Sequence, residues 1–167
     1  MMGRFMNYLI KGILPVAALV VLFAFTMKPA AQQYKCLIQM TNYAGPKAYL
    51  VISLMDPEGQ YVRTLEVHGD DEEWHKDIKE WWSFTSAAEE EIDGITGASV
   101  GNGERKVSLF DFDKSLLNAG YKLRFETAVE DQDYFVKDLE VDLNSEELIN
   151  KFEGSGYIRY IRIMGRE

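Results

Sequence analysis

From residue 34 onward the chain repeats one device: a short run of β-branched and aromatic residues, then a cluster of turn formers. Runs of this kind occupy 34–40, 48–55, 61–67, 106–112, 121–129, 134–143 and 157–164. Tyr43-Ala44-Gly45-Pro46, Asp56-Pro57-Glu58-Gly59 and Asn118-Ala119-Gly120 supply the turns. In Asp56-Pro57-Glu58-Gly59, Pro at the second place and Gly at the fourth fit a type I turn, so 48–55 and 61–67 read as a hairpin. Many short strands with turns between them, and no internal repeat, specify an all-β chain. The expected fold is an immunoglobulin-like antiparallel β-sandwich. Near its end, Asn144 or Ser145 is placed to cap a short helical turn carrying Leu148, Ile149 and Phe152.

The period changes once. After Gly69, Trp74, Ile78, Trp81 and Trp82 fall at the spacing of one helix face, behind the acidic run Asp70-Asp71-Glu72-Glu73 that suits a helix N-terminus. This predicts one inserted amphipathic helix. Its tryptophans read first as core packed on the sheet. The sharper alternative makes Trp81 and Trp82 a wall on which a flat ligand stacks. His68 and His75 flank the acidic run, but their spacing is not that of a metal centre. The single cysteine, Cys36, excludes an internal disulfide and reads as a buried strand residue.

At the N-terminus, 12–27 carries no charge and is rich in Leu, Val, Ala and Phe, with Arg4 and Lys11 before it and Lys28 after. With Tyr8, Leu9 and Ile10 added, and Lys11 reaching to the interface, it attains the length of about 20 residues that a spanning helix needs. Residues 1–31 are therefore expected to be a transmembrane anchor, with a cleaved signal sequence as the alternative. Either way the basic residues keep the N-terminus inside, and 32–167 form an extracytoplasmic domain. The net charge of −9 in 167 residues excludes nucleic acid as a partner.

The stretch left without a structural role is 93–99: Asp93, Gly94, Ile95, Thr96, Gly97, Ala98 and Ser99. It offers a hydroxyl on a narrow, flexible strip of backbone, with a carboxylate upstream. That shape suits a segment modified in another protein's active site, because the glycines let a ligand approach the main chain. A hydrolase built on Ser99 is disfavoured: no Gly-x-Ser-x-Gly is present and neither histidine stands in a recognisable relation to it.

Two resemblances bear on this strip. The order Ala-Tyr-Leu-Val-Ile at 48–52, Asp-Pro-Glu-Gly at 56–59, Val62-Arg63-Thr64-Leu65, Trp74, Trp81-Trp82, the strip itself, Gly120-Tyr121 and Glu126-x-Ala128-x-Glu130 resembles the predicted periplasmic domain-of-unknown-function family 2271, over roughly 34–142. Members are typically sandwich-like, extracytoplasmic and associated with flavin-linked membrane electron transfer. The chain departs from the family at Phe110-Asp111-Phe112-Asp113, where a Trp-Asp-Gly turn and a following Asp-Gly are usual, and Ser99 stands where Thr is commoner. The strip is also similar to the flavin-attachment sequence of sodium-pumping NADH:quinone reductase subunits, onto which a flavin transferase moves FMN from FAD.

Carried over, that likeness implies Ser99 as the acceptor of a phosphoester to FMN and Asp93 as the acid that helps position the strip and a magnesium-bound phosphate in the transferase. It makes Gly97 and Ala98 the small residues that let the strip thread in, with Gly94, Thr96, Trp81 and Trp82 completing the candidate cofactor site. The implied protein is an electron-transfer subunit of the cytoplasmic membrane rather than a stand-alone enzyme. It is single-pass, with its domain in the periplasm, and is partnered by the membrane, a flavin transferase and other membrane redox subunits. The alternative of a different class is a non-catalytic sandwich serving as an accessory or scaffolding subunit of a membrane complex.

Overall fold

The computed structural model describes residues 31–165. The expected anchor or signal sequence lies outside them apart from Ala31, which already belongs to a strand. Each expected run is a strand: β1 (Ala31–Met40), β2 (Tyr49–Met55), β3 (Tyr61–His68), β5 (Arg105–Asp113), β6 (Lys122–Ala128), β7 (Tyr134–Asp142) and β9 (Ile158–Gly165). Two further strands, β4 (Thr96–Gly97) and β8 (Lys151–Phe152), have only two residues each. β1 starts three residues before the first expected run because β5 is long enough to pair it, from Ala31↔Asp113 to Gln39↔Arg105.

The strands form two sheets, ordered β5-β1-β9-β8 and β4-β3-β2-β6-β7. The pairings are antiparallel except that of β3 with β4, which is parallel. The β2–β3 hairpin closes as the turn chemistry requires. The Gly59 N–H donates to the Asp56 carbonyl at 3.0 Å, and Gly59 takes a φ of +79° that suits glycine. Asn144 accepts from the Glu146 N–H at 2.9 Å and so caps the helical turn after β7.

Two apolar layers result. Between the sheets lie Cys36 and Ile38 of β1, Leu50 and Ile52 of β2, Phe110 and Phe112 of β5, Phe125 of β6, and Ile161 and Ile163 of β9. On the outer face of the five-stranded sheet, Tyr49, Val51, Val67 and Ala128 pack against Ile78 and Trp81. β2 is buried along its whole length because both layers draw on it. Full burial of each such large side chain stabilises by roughly 1.5–3 kcal/mol.

The inserted helix departs from expectation. It is a six-residue 3-10 segment, Glu72–Asp77, followed by α1 (Lys79–Ala88), with Ile78 at φ −87° and ψ 70° between them. Asp71 caps the first piece through the Glu73 N–H. Trp74, Ile78, Trp81 and Trp82 still share one apolar cluster. The periodicity identified the common face but not the break in the backbone. Among the described residues no helix is long and apolar enough to cross a membrane.

Candidate functional site

A sandwich has open edges, and the unpaired N–H and C=O groups of an edge strand invite pairing. β5 ends one sheet, and β3 has only the two-residue β4 outside it in the other. This edge is closed by side chains and by the 93–99 strip. Glu90 accepts from both the N–H and the hydroxyl of Thr64, at 2.8 and 2.6 Å. Arg63 reaches across the two sheets to the Asp111 carbonyl at 2.6 Å.

The strip is stitched in place rather than loose. Asp93–Ile95 form a short 3-10 turn, then Thr96 and Gly97 lie beside Val67 and His68. The Gly69 N–H donates to the Gly97 carbonyl at 2.7 Å, and Val100 and Ala48 exchange two backbone bonds at 2.8 and 2.9 Å. The Thr96 hydroxyl donates to the Ile92 carbonyl at 2.8 Å. The expected flexibility therefore gives way to an edge strand, because an unpaired backbone along β3 would leave its polar groups unsatisfied. Asp93, Gly94 and Ala98 are exposed, while Thr96, Gly97 and Ser99 are half-buried. Ser99 falls between the pinned Gly97 and Val100, and among the described residues its hydroxyl has no hydrogen-bond partner.

Beneath the strip is a cavity of about 320 Å³, walled by Leu65, Glu66, His68, the backbone from Gly94 to Gly97, and Lys106 and its neighbours on β5. Glu66 and His68 are two apart on β3 and flank Val67, so they point away from α1 and into the sandwich edge. His68 is 1% exposed, and its Nε2 lies 2.8 Å from Ser108 Oγ and 3.3 Å from Glu66 Oε1. Burial pushes the Glu66 carboxyl up to about 7, against the opposing pull of Ser108 and Lys106. Burial, then the Lys106 charge, pushes His68 down to about 4. Near neutral pH the imidazole is uncharged, so its 3.3 Å contact with Glu66 is not an ion pair.

This pair is incompletely satisfied. Among the described residues four buried side-chain polar atoms lack a partner, and two of them, Glu66 Oε2 and His68 Nδ1, belong to this one cavity. Each such atom costs roughly 1–3 kcal/mol. A second buried carboxyl provides the contrast. Glu126, raised to about 6 by burial, accepts from the hydroxyls of Tyr61 and Tyr134, one on each oxygen. Arg124 lies over the Tyr61 ring at 5.2 Å and bonds Glu140 at 2.8 Å. That network is complete and leaves nothing for a ligand to satisfy.

The expected tryptophans lie elsewhere. Trp81 is fully buried, with its Nε1 donating to Thr64 Oγ1 at 2.9 Å, so neither ring face is open. Trp82 is half-buried in the same cluster, on the helix side of the sheet, and neither ring lines the cavity. The histidines beside the acidic run part company. His68 faces Ser108, whereas His75 Nε2 lies 2.7 Å from the Gly69 carbonyl. Among the described residues no group of three or more His, Cys, Asp or Glu side chains could hold a metal ion. Glu66, Lys106 and Ser108 went unnoticed in the sequence, and His68 was noted only for its place beside the acidic run. The available signal was a Glu and a His two apart in a run otherwise read as apolar alternation.

The donor set suits a neutral heterocycle. A bare hydroxyl stands on the strip, two unpartnered polar atoms lie below it, and a Cβ at Gly97 would sit 3.7 Å from His68 Nδ1, over the atom that needs a partner. Were FMN bound here, Ser99 would hold its phosphate and the cavity its ring. No curated protein and no solved structure matched the chain. A family model described as predicted periplasmic protein (DUF2271) matches 31–160, from the first residue of β1 into β9, and the chain belongs to that family.

Proposed function

We propose that this is a membrane-anchored, extracytoplasmic flavoprotein carrying covalent FMN on Ser99 and relaying electrons between membrane partners. The single observation that supports this most is the position of Ser99: half-exposed, without a hydrogen bond, on a strip whose sequence resembles a flavin-attachment sequence. In the attachment step the Ser99 oxygen attacks the FMN phosphorus of FAD. A serine–phosphate ester forms, the pyrophosphate P–O bond breaks, AMP leaves, and the hydroxyl proton passes to a base of the transferase. The chain therefore needs no base of its own. Once bound, the flavin supplies the redox chemistry, and the protein supplies position and dielectric. An immunoglobulin-like class for the sandwich and a spanning helix in 1–31 belong to the same proposal.

The test is mass spectrometry of protein made with and without a co-expressed flavin transferase. The expected result is an FMN phosphate adduct on the Ser99 peptide only with the transferase, and loss of in-gel flavin fluorescence in Ser99→Ala. An unmodified Ser99 peptide in the native host, or fluorescence that persists in Ser99→Ala, overturns the proposal.

The stitching of the strip favours one alternative, a non-catalytic accessory module whose strip only closes the sheet edge. Absorption of the purified native protein separates the two, since a flavin is yellow.

A further inference from the structure

We propose that the cavity formed by Glu66, His68 and the Gly94–Gly97 backbone binds the imide edge of a flavin ring, the carbonyl and adjacent N–H at its pyrimidine end. This deepens the flavin reading and rests on it for the identity of the heterocycle.

The hydrogen-bond chemistry selects this ligand class. His68 is neutral, and its Nε2 faces two oxygens, Ser108 Oγ at 2.8 Å and Glu66 Oε1 at 3.3 Å. With Nε2–H donating to Ser108 Oγ, Nδ1 is left as a bare acceptor. A protonated Glu66 that accepts at Oε1 has its proton on Oε2, which makes Oε2 a bare donor. The cavity wall therefore holds an acceptor and a donor, both buried and both without partners. The complement is a ligand with an N–H next to a carbonyl. An anion finds no match in a bare imidazole nitrogen, and a cation meets Lys106 at the wall. Leu65, Ile95, Val107 and Leu109 add apolar surface to a wall that also carries Thr96 and Lys106.

Gly97 completes the case. Its φ is not in the left-handed region, so its backbone does not demand glycine, and a Cβ there would meet only His68 Nδ1, at an ordinary 3.7 Å. What a larger side chain at 97 would do is cover the unpartnered nitrogen. Gly97 is also two residues from Ser99, within about 7 Å of extended chain. A tether at Ser99 would raise the local ring concentration to the order of mM, so weak intrinsic affinity suffices.

The experiment uses full-length protein from a host without flavin transferase, titrated with FMN and followed by quenching of flavin fluorescence. Saturable binding at or below about 1 mM is expected. N3-methyl-FMN, which lacks the imide N–H, should bind at least tenfold more weakly to the unaltered protein. Gly97→Val and Glu66→Leu should each weaken FMN by tenfold or more. Glu66→Gln, whose amide keeps both an acceptor and a donor, should stay within threefold of wild type. Should Glu66→Leu fail to fold, Gly97→Val and the methylated ligand carry the test. Absence of saturable binding, or equal affinity for the methylated flavin, overturns the cavity assignment. Its failure with Ser99 flavinylated on co-expression leaves the attachment site standing. Its success with Ser99 unmodified removes the attachment and keeps the cavity.

Discussion

Glu66 carries the largest consequence for pH. Its carboxyl is raised to about 7 by burial, and it faces His68 on its own strand and Ser108 and Lys106 on β5. A folded-state value above the ordinary one near 4.3 means that the native state binds the extra proton. The stability Glu66 contributes is therefore complete below that ordinary range and is lost as pH rises through about 7. His68 works in the opposite sense: its contribution is present above the ordinary histidine range and is lost as pH falls through about 4. In Glu66→Gln only the first dependence disappears. Urea denaturation should find this variant more stable than wild type at pH 8 by about 1–3 kcal/mol, with the gap closing towards pH 4.5. Two parallel stability curves would show that the carboxyl is not held protonated. Gly69 is the other decisive residue. Its N–H bonds Gly97, its carbonyl meets His75, and at φ +150° a Cβ would fall 2.0 Å from Tyr49 Cδ1. Gly69→Ala should lose about 2 kcal/mol or more in the same assay.

At the scale of elements, the strand runs and the principal turn were legible because alternation and turn chemistry are local. The strands that escaped, β4 and β8, are too short to show a period. They exist because a neighbouring strand has backbone groups to satisfy. α1 was foreseen from Trp81 and Trp82, but not the kink at Ile78, since spacing reports a shared face and not a continuous helix axis. The strip, read as flexible, is pinned by backbone bonds, and its hydroxyl is half-buried. The cavity could not be read at all, because Ser108 lies forty residues beyond His68 and meets it only once the two sheets close. Hydrogen exchange tests the stitched strip. The amides of Ala48, Gly69 and Val100, all bonded, should exchange markedly more slowly than that of Ser99. If Val100 exchanges as fast as Ser99, the strip is not pinned.

For the molecule as a whole, the two apolar layers are not separable units. β2 gives alternate side chains to both, Leu50 and Ile52 to one and Val51 to the other. Melting either layer removes one wall of the other. A chain of residues 31–165 should therefore unfold in a single transition, with near-ultraviolet dichroism from buried Trp81 and far-ultraviolet dichroism from the sheets coinciding. Separate midpoints would show that the tryptophan layer loosens first.

The span between the fixed points Gly97 and Val100 contains only Ala98 and Ser99. Whatever is joined to that serine hangs from a fixed point, and its reach is set by its own length and not by the chain. Little backbone freedom remains to be surrendered on docking. The same shortness fixes an order of events: an enzyme that needs the serine on extended chain has to reach it before the edge closes, or wait for that edge to fray.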